Sequence, residues 1–326
     1  MATTTSTTDL LPACTSAIPD RNGYVPPDAC NSNYGFYPSW EWNLVFAVFF
    51  GLTTLIHAVQ MFVYRKWFCW VIVMGSLWEL ACFILRTLGA HDQQNFDYVI
   101  SSTLLFLLAP LWINAYVYMI VARLVHFLLP NEHILGMSPR WLAKGFVAAD
   151  IVSFIIQAAG GAMLANNEDH DIARTGQQVY MAGIGVQLFF VVVFGVVTGV
   201  FIRRLEQRIR EGTLVRSMAW VRPLMWVLVG VILLIVVRVI FRLVEFGGGA
   251  SESNPILTNE AYQLGLDALP MVIALLVLNV VHPGMVLKGP ESSFPGGWRK
   301  KKQGKADAFV ALNSPGSVEL SLRNEA

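Results

Sequence analysis

Charge is what this chain has least of. Asp, Glu, Lys and Arg make up 14% of its 326 residues, against about 25% in soluble domains, which excludes an ordinary water-soluble globule. Only four cysteines are present, and no Cys/His cluster of zinc-ligand spacing occurs. There is no HExxH, no closely spaced histidine pair and no GxxxxGK[ST]. A helical zinc-hydrolase centre and an ATP-driven engine on this chain are therefore not expected, and neither is any metal or cofactor. A metal shell of His57 and His282 with Glu79 or Asp150 fits poorly, since His282 falls near the inner surface and Glu79 near the midplane. No Asn-x-Ser/Thr sequon occurs, so N-glycosylation is not expected. The first 40 residues, rich in Thr, Ser, Pro and Asn, lack the apolar core of a cleavable leader. The first apolar segment is then expected to act as the signal anchor.

What is there is apolar sequence in long blocks. Hydrophobic residues make up 55% of the chain and mean hydropathy is +0.54. Seven segments, approximately 42–64, 69–88, 98–121, 142–164, 179–202, 222–244 and 263–283, are each near the length of about 20 residues that crosses a bilayer as a helix. They do not alternate as barrel strands do, and only a helix satisfies its own backbone in lipid. The expected fold is an all-α integral membrane protein with seven transmembrane helices. Its organisation reads as a tail over 1–40, a seven-helix domain over 41–287 and a polar basic tail over 288–326.

Basic residues are uneven along the chain. Eighteen of the 23 fall on one side if the segments alternate, including six arginines between Arg203 and Arg222 and the run from Arg299 to Lys302. The positive-inside rule then places the N-terminus outside and the C-terminus in the cytosol. The basic loop and tail are expected to meet anionic inner-leaflet lipid; nothing in the chain points to nucleic acid. Cys14 and Cys30 share the outer side, where a disulfide can form, while Cys69 and Cys82 read as packing residues inside the second segment.

Ionisable residues inside these segments are the candidate functional residues. One charge at mid-bilayer costs roughly 3 kcal/mol, so such groups usually face a cavity or one another. Glu79 falls about 15 Å into its segment at about 1.5 Å per residue, with Arg86 two turns further on the same face. Arg238, Arg242 and Glu245 form one stripe at i, i+4, i+7, and Asp267 lies at a similar depth on the seventh segment. Three cations balance three anions on three helices. One reading is a salt-bridge network that sets helix register. The other is a polar cavity in the outer half holding the head group of an amphiphile, the arginines taking phosphate or carboxylate and the acids taking an amine. Asp150 and Gln157 on the fourth segment and Gln187 on the fifth complete the candidate substrate-binding set; Arg123, at an inner helix end, is expected to snorkel. Glu79, Asp150 or Asp267 is expected to couple proton movement to substrate movement.

The second segment reads Glu79-x-x-Cys82-Phe83-x-x-Arg86, the third Leu108-Ala109-Pro110 with Ala115-x-x-Tyr118 and Arg123, and the fourth Asp150-x-x-Ser153-x-x-x-Gln157. The sixth reads Arg238-x-x-Phe241-Arg242-x-x-Glu245, and the seventh carries Glu260, Tyr262, Asp267 and His282-Pro283-Gly284. Over roughly 34–287 this resembles the fungal lipid-translocating exporters, the family related to aminocholesterol-resistance proteins, although Cys82-Phe83 stands where that family usually has Gly-Tyr. The resemblance implies a non-enzymatic multi-pass protein of the plasma membrane that exports amphipathic lipids such as sphingoid bases or sterol-like toxicants. A seven-helix receptor or sensor of lipid asymmetry or membrane stress is the alternative.

Overall fold

The computed structural model of the protein describes residues 15–20, 23–26, 29, 31–129, 138–164, 170–212, 220–247 and 256–287. The chain divides into two compact units, Met1–Leu287 and Lys288–Ala326. The second of these, the expected basic tail, lies outside the described residues, as do Cys14 and Cys30 with their expected disulfide.

Among the described residues, the first unit holds seven helices long and apolar enough to cross a membrane. They are α1 (Trp40–Val63), α2 (Trp70–His91), α3 (Phe96–Leu128), α4 (Pro139–Leu164), α5 (His170–Arg210), α6 (Val221–Gly247) and α7. The last is built from three consecutive pieces, an α-turn Glu260–Gln263, a π-helical turn Leu264–Ala268 and an α-helix Leu269–Val280. Most helices run past the apolar segments that mark them, because polar caps and charged ends continue the hydrogen-bond ladder beyond the hydrocarbon. Ser39, Asn95 and Asn259 cap α1, α3 and α7 by accepting from Trp42, Asp97 and Ala261 N–H groups, and Glu41, Asp97 and Glu260 sit in the first turns, where the helix dipole favours an anion. The sequence IRRLEQRIR continues α5 to Arg210, as its composition suggests.

Exposed aliphatic and aromatic side chains cover the outside of the bundle, Leu44, Val48, Leu52, Leu55 and Val59 along α1 among them. In water such a surface would aggregate; in a bilayer it is the solvent-facing surface. Exposed tryptophans mark helix ends, with Trp40 and Trp42 where α1 begins and Trp67 and Trp70 beyond its other end, the placement of an interfacial aromatic belt. The helices α3 and α7 are the most enclosed, α1 and α4 the least.

The described residues between 23 and 39 do not hang free from the face where α1 begins. Val25 is 2% exposed and donates its N–H to Gln93 Oε1 in the α2–α3 turn. Asn33 donates to the Gln93 carbonyl and Ser39 N–H to Glu260 on α7. The segment thus covers the ends of α2, α3 and α7.

Candidate functional site

Two backbone irregularities create the site. Pro110 lacks the N–H that would bond the carbonyl of Phe106 one turn earlier. That freed carbonyl accepts from Arg238 Nη2 at 3.1 Å, so a proline on α3 anchors an arginine on α6. On α7, Pro270 likewise cannot continue the ladder. The helix widens to a π-turn in which Leu269 N–H reaches Leu264, five residues back, as helices often do at functional sites. Within that turn lies Asp267, fully buried and ion-paired to Arg238 Nε.

Arg242, one turn above Arg238, joins the same cluster. Its Nη1 lies 3.0 Å from Glu245 and 3.7 Å from Asp267 Oδ2, and its Nη2 donates to Tyr180 Oη on α5 at 2.6 Å. Arg86 does not pair with any of the three acids counted on the apolar segments. Its partner is Glu260 at 3.3 Å, with Gln263 accepting from the same Nη2 at 2.7 Å. Glu260 also accepts from Asn43 of α1 and from Ser39 N–H. As a site residue it escapes a search of apolar segments because it sits at the helix start, before the hydrophobic run; only its place in the family pattern marks it.

Glu79 is brought to the cluster without entering an ion pair. It is fully buried, and neither carboxylate oxygen has a hydrogen-bond partner. The charges that act on it come from Arg238 and Asp267 on facing helices and from Arg86 on its own. Gln157 and Gln187 meet each other at 3.1 Å across α4 and α5. Asp150 forms a separate centre one helix away, its Oδ2 accepting from Asn114 Nδ2 and Tyr118 Oη, both at 3.0 Å. A buried acceptor stripped of one donor costs about 1–3 kcal/mol. Tyr118→Phe is therefore expected to lower the thermal midpoint of the purified protein, and an unchanged midpoint would show that Asn114 alone satisfies Asp150.

Three cavities adjoin this cluster. A cleft of about 500 Å³ between α1 and the start of α7 is lined by Trp42, Phe46, Leu264 and Glu260, with Phe36 and Tyr37 above. A vestibule of about 180 Å³ under the N-terminal segment is lined by Tyr34, Ser102, Thr103, Gln263, Arg86 and Arg242. A deeper pocket of about 30 Å³ is lined by Asn114, Gln157, Gln187, Arg238 and Arg242, space for little more than one water. Phe36 borders both cleft and vestibule; Leu107 and Arg242 border both vestibule and deeper pocket. Of the nine candidate residues, Arg86, Gln157, Gln187, Arg238 and Arg242 line these spaces. Glu79, Asp150, Glu245 and Asp267 line none of the three.

The family model described as RTA1 like protein matches residues 72–290, a stretch that holds all nine. The chain belongs to the RTA1-like family. The RTA1-like match begins inside α2 and leaves α1 and the N-terminal segment outside it. Alignment to the probable lipid transporter atnI of Emericella nidulans is longer, with 41% identity over 92% of this chain and 80% of that protein. The sphingoid long-chain base transporter RSB1 of Saccharomyces cerevisiae is 26% identical over 82% of this chain and 78% of its own length. Protein RTM1 of the same yeast is 30% identical over 63% of this chain and 64% of its own length. No solved structure matches.

At the opposite end of the bundle a second buried polar group gathers. His282 stacks on Tyr64 at 4.7 Å, accepts from Gly284 N–H at 3.1 Å, and turns Nε2 toward Cys69 Sγ at 3.6 Å. That thiol also lies 3.4 Å from Tyr116 Oη, so Cys69 does more than fill space. His57 is fully buried on α1. Among the described residues no three of His, Cys, Asp and Glu are grouped so as to hold a metal ion. Arg123 lies over the Phe68 ring at 4.1 Å, half-buried against an aromatic face.

Proposed function

We propose that this protein translocates amphipathic lipids, the head group passing through the arginine-lined cavities while the chain remains in the bilayer. One observation carries the reading: three arginines on hydrophobic spans, Arg86 and Arg238 buried and Arg242 partly so, border two adjoining cavities that no acid of the described residues lines. A network serving only to fix helix register needs no such space, and replacing buried ion pairs by apolar packing is often neutral or stabilising. The transporter names of atnI and RSB1 support the same class of activity.

In this reading the face bearing the N-terminal segment is outward, the C-terminal tail is cytosolic and the membrane is the plasma membrane. The basic end of α5, with Arg203, Arg204, Arg208 and Arg210, meets anionic lipid of the inner leaflet. Glu79, buried beside the cluster, is the proton-coupling group. Flux driven by a pH gradient across the vesicle is expected to lose its pH dependence in Glu79→Gln. Flux indifferent both to the gradient and to this substitution would remove the coupling role.

Reconstitution tests the reading directly. Liposomes holding only the purified protein should move fluorescent sphingoid-base or phospholipid analogues between leaflets. Arg242→Ala, recovered as folded protein, should slow this by at least about tenfold, the equivalent of about 1.4 kcal/mol on the barrier. Absence of movement with lipid binding intact would favour a sensor of lipid asymmetry instead.

A further inference from the structure

Resting on the translocation reading, the vestibule narrows the chemistry of the head group. Its polar lining consists of two guanidinium groups with hydroxyl and amide side chains, and among the described residues no carboxylate borders it. Arg86 spends both its hydrogen bonds through Nη2, leaving Nε and Nη1 uncommitted. Arg242 is held by Nη1 and Nη2, leaving Nε. Both residues nonetheless border the open space. The Tyr34 hydroxyl, on the segment above, is buried and has no hydrogen-bond partner. Burial pushes its ionisation above the usual phenol range, so it remains an O–H donor. A buried donor without an acceptor is costly; here Arg86, Arg242 and Tyr34 border one space with no acid among its described walls.

We propose that the vestibule is a head-group site for an acidic amphiphile, whose phosphate or carboxylate is held by Arg86, Arg242 and Tyr34 and whose hydrocarbon chain leaves past Phe36 through the cleft between α1 and α7. The guanidinium fork suits an oxyanion better than any other head group. Trp42, Phe46 and Leu264 give the neighbouring cleft an apolar wall, and exposed Trp42 beside it faces the bilayer. The pair Arg86–Glu260 stands between the two spaces, since Arg86 lines the vestibule and Glu260 the cleft. An acidic head group competes with Glu260 for Arg86, so its arrival opens the partition that a neutral or cationic head group leaves shut. An amine finds a carboxylate only at the cleft, where Glu260 is already occupied by Ser39, Asn43 and Arg86.

Binding to the full-length protein in neutral detergent, read by intrinsic tryptophan fluorescence, tests this with four probes: an alkyl phosphate, an alkyl amine and an alkyl alcohol of equal chain length, and inorganic phosphate. The alkyl phosphate should bind at least about tenfold more tightly than the amine or alcohol, the ratio expected from a single charge-assisted hydrogen bond. Tyr34→Phe, which removes one oxygen from a surface segment and leaves every ion pair in place, should weaken alkyl phosphate several-fold and leave the amine unchanged; Arg86→Gln should weaken it by about tenfold or more. Amine binding equal to or tighter than phosphate, or phosphate affinity unchanged in both variants, overturns the assignment of an acidic head group while leaving translocation standing. Inorganic phosphate binding as tightly as alkyl phosphate overturns the lipid source in favour of a free anion. Binding of none of the amphiphiles overturns the translocation reading as well.

Discussion

Asp267→Ala is expected to cost about 3–5 kcal/mol of stability, the cost of leaving a buried charge without its partner, and to reduce sharply the yield of monodisperse protein in mild detergent. Asp267 has no exposed surface and holds Arg238 directly, with Arg242 3.7 Å from its other oxygen. Its loss strands the Arg238 guanidinium over the Phe106 ring and beside Val239 and Met271, while Arg242 keeps Glu245 and Tyr180. Arg238 keeps only the Phe106 carbonyl, one acceptor for a delocalised cation. By contrast Arg123→Ala should cost far less, since that side chain is half-buried against Phe68. The double substitution Arg238→Met with Asp267→Leu separates stability from function: removing both charges should restore folded yield, yet translocation should stay lost because an arginine that borders the deeper pocket is gone. Equal thermal midpoints for Asp267→Ala and Arg123→Ala would dismantle the cluster as described. Recovery of flux in the double variant would reduce Arg238 and Asp267 to a structural pair.

The second large effect is expected from the seam between α4 and α5. A Cβ on Gly160 would lie 2.4 Å from Tyr180 N, and one on Gly176 would lie 2.5 Å from Leu164 N. Both clashes are with backbone, so no rotamer change relieves them and the helices must move apart. Small residues that let backbones approach are a main source of helix association in lipid, where no hydrophobic effect drives helices together. Gly160→Leu is expected to exceed the usual overpacking cost of about 1–3 kcal/mol, read as lost monodisperse protein. The smaller Gly160→Ala is the more informative variant. Tyr180 holds Arg242 through its hydroxyl, so a shifted α5 should withdraw that bond and slow translocation in protein that still folds. Gly160→Ala with wild-type flux and midpoint would mean that the seam adapts without disturbing Arg242.

Much of this architecture is legible in the chain because the bilayer imposes a one-dimensional rule: any spanning segment must be long, apolar and helical. Seven such segments are therefore countable from composition. The stripe of Arg238, Arg242 and Glu245 is legible for the same kind of reason, since helical spacing alone puts those residues on one face. Pairing across helices is not local. Arg86 pairs with Glu260, a residue at a helix entrance that Ser39 and Asn43 also hold. Glu79 and Arg86 share a helix face, yet Arg86 is ion-paired and Glu79 is not. Asp150, read as part of the same set, instead makes its own centre with Asn114 and Tyr118.

Hydropathy, period and charge count are properties of the chain and suffice for a seven-helix membrane protein with ionisable residues in its interior; its motifs, not its composition, ally it with the RTA1-like family. Which charges meet, how Pro110 and Pro270 free the backbone around them, and that arginines border the vestibule and deeper pocket while Glu260 borders the cleft, emerge only once the helices pack. Those outcomes depend on interhelical distances of a few ångströms, which packing sets and no single segment encodes.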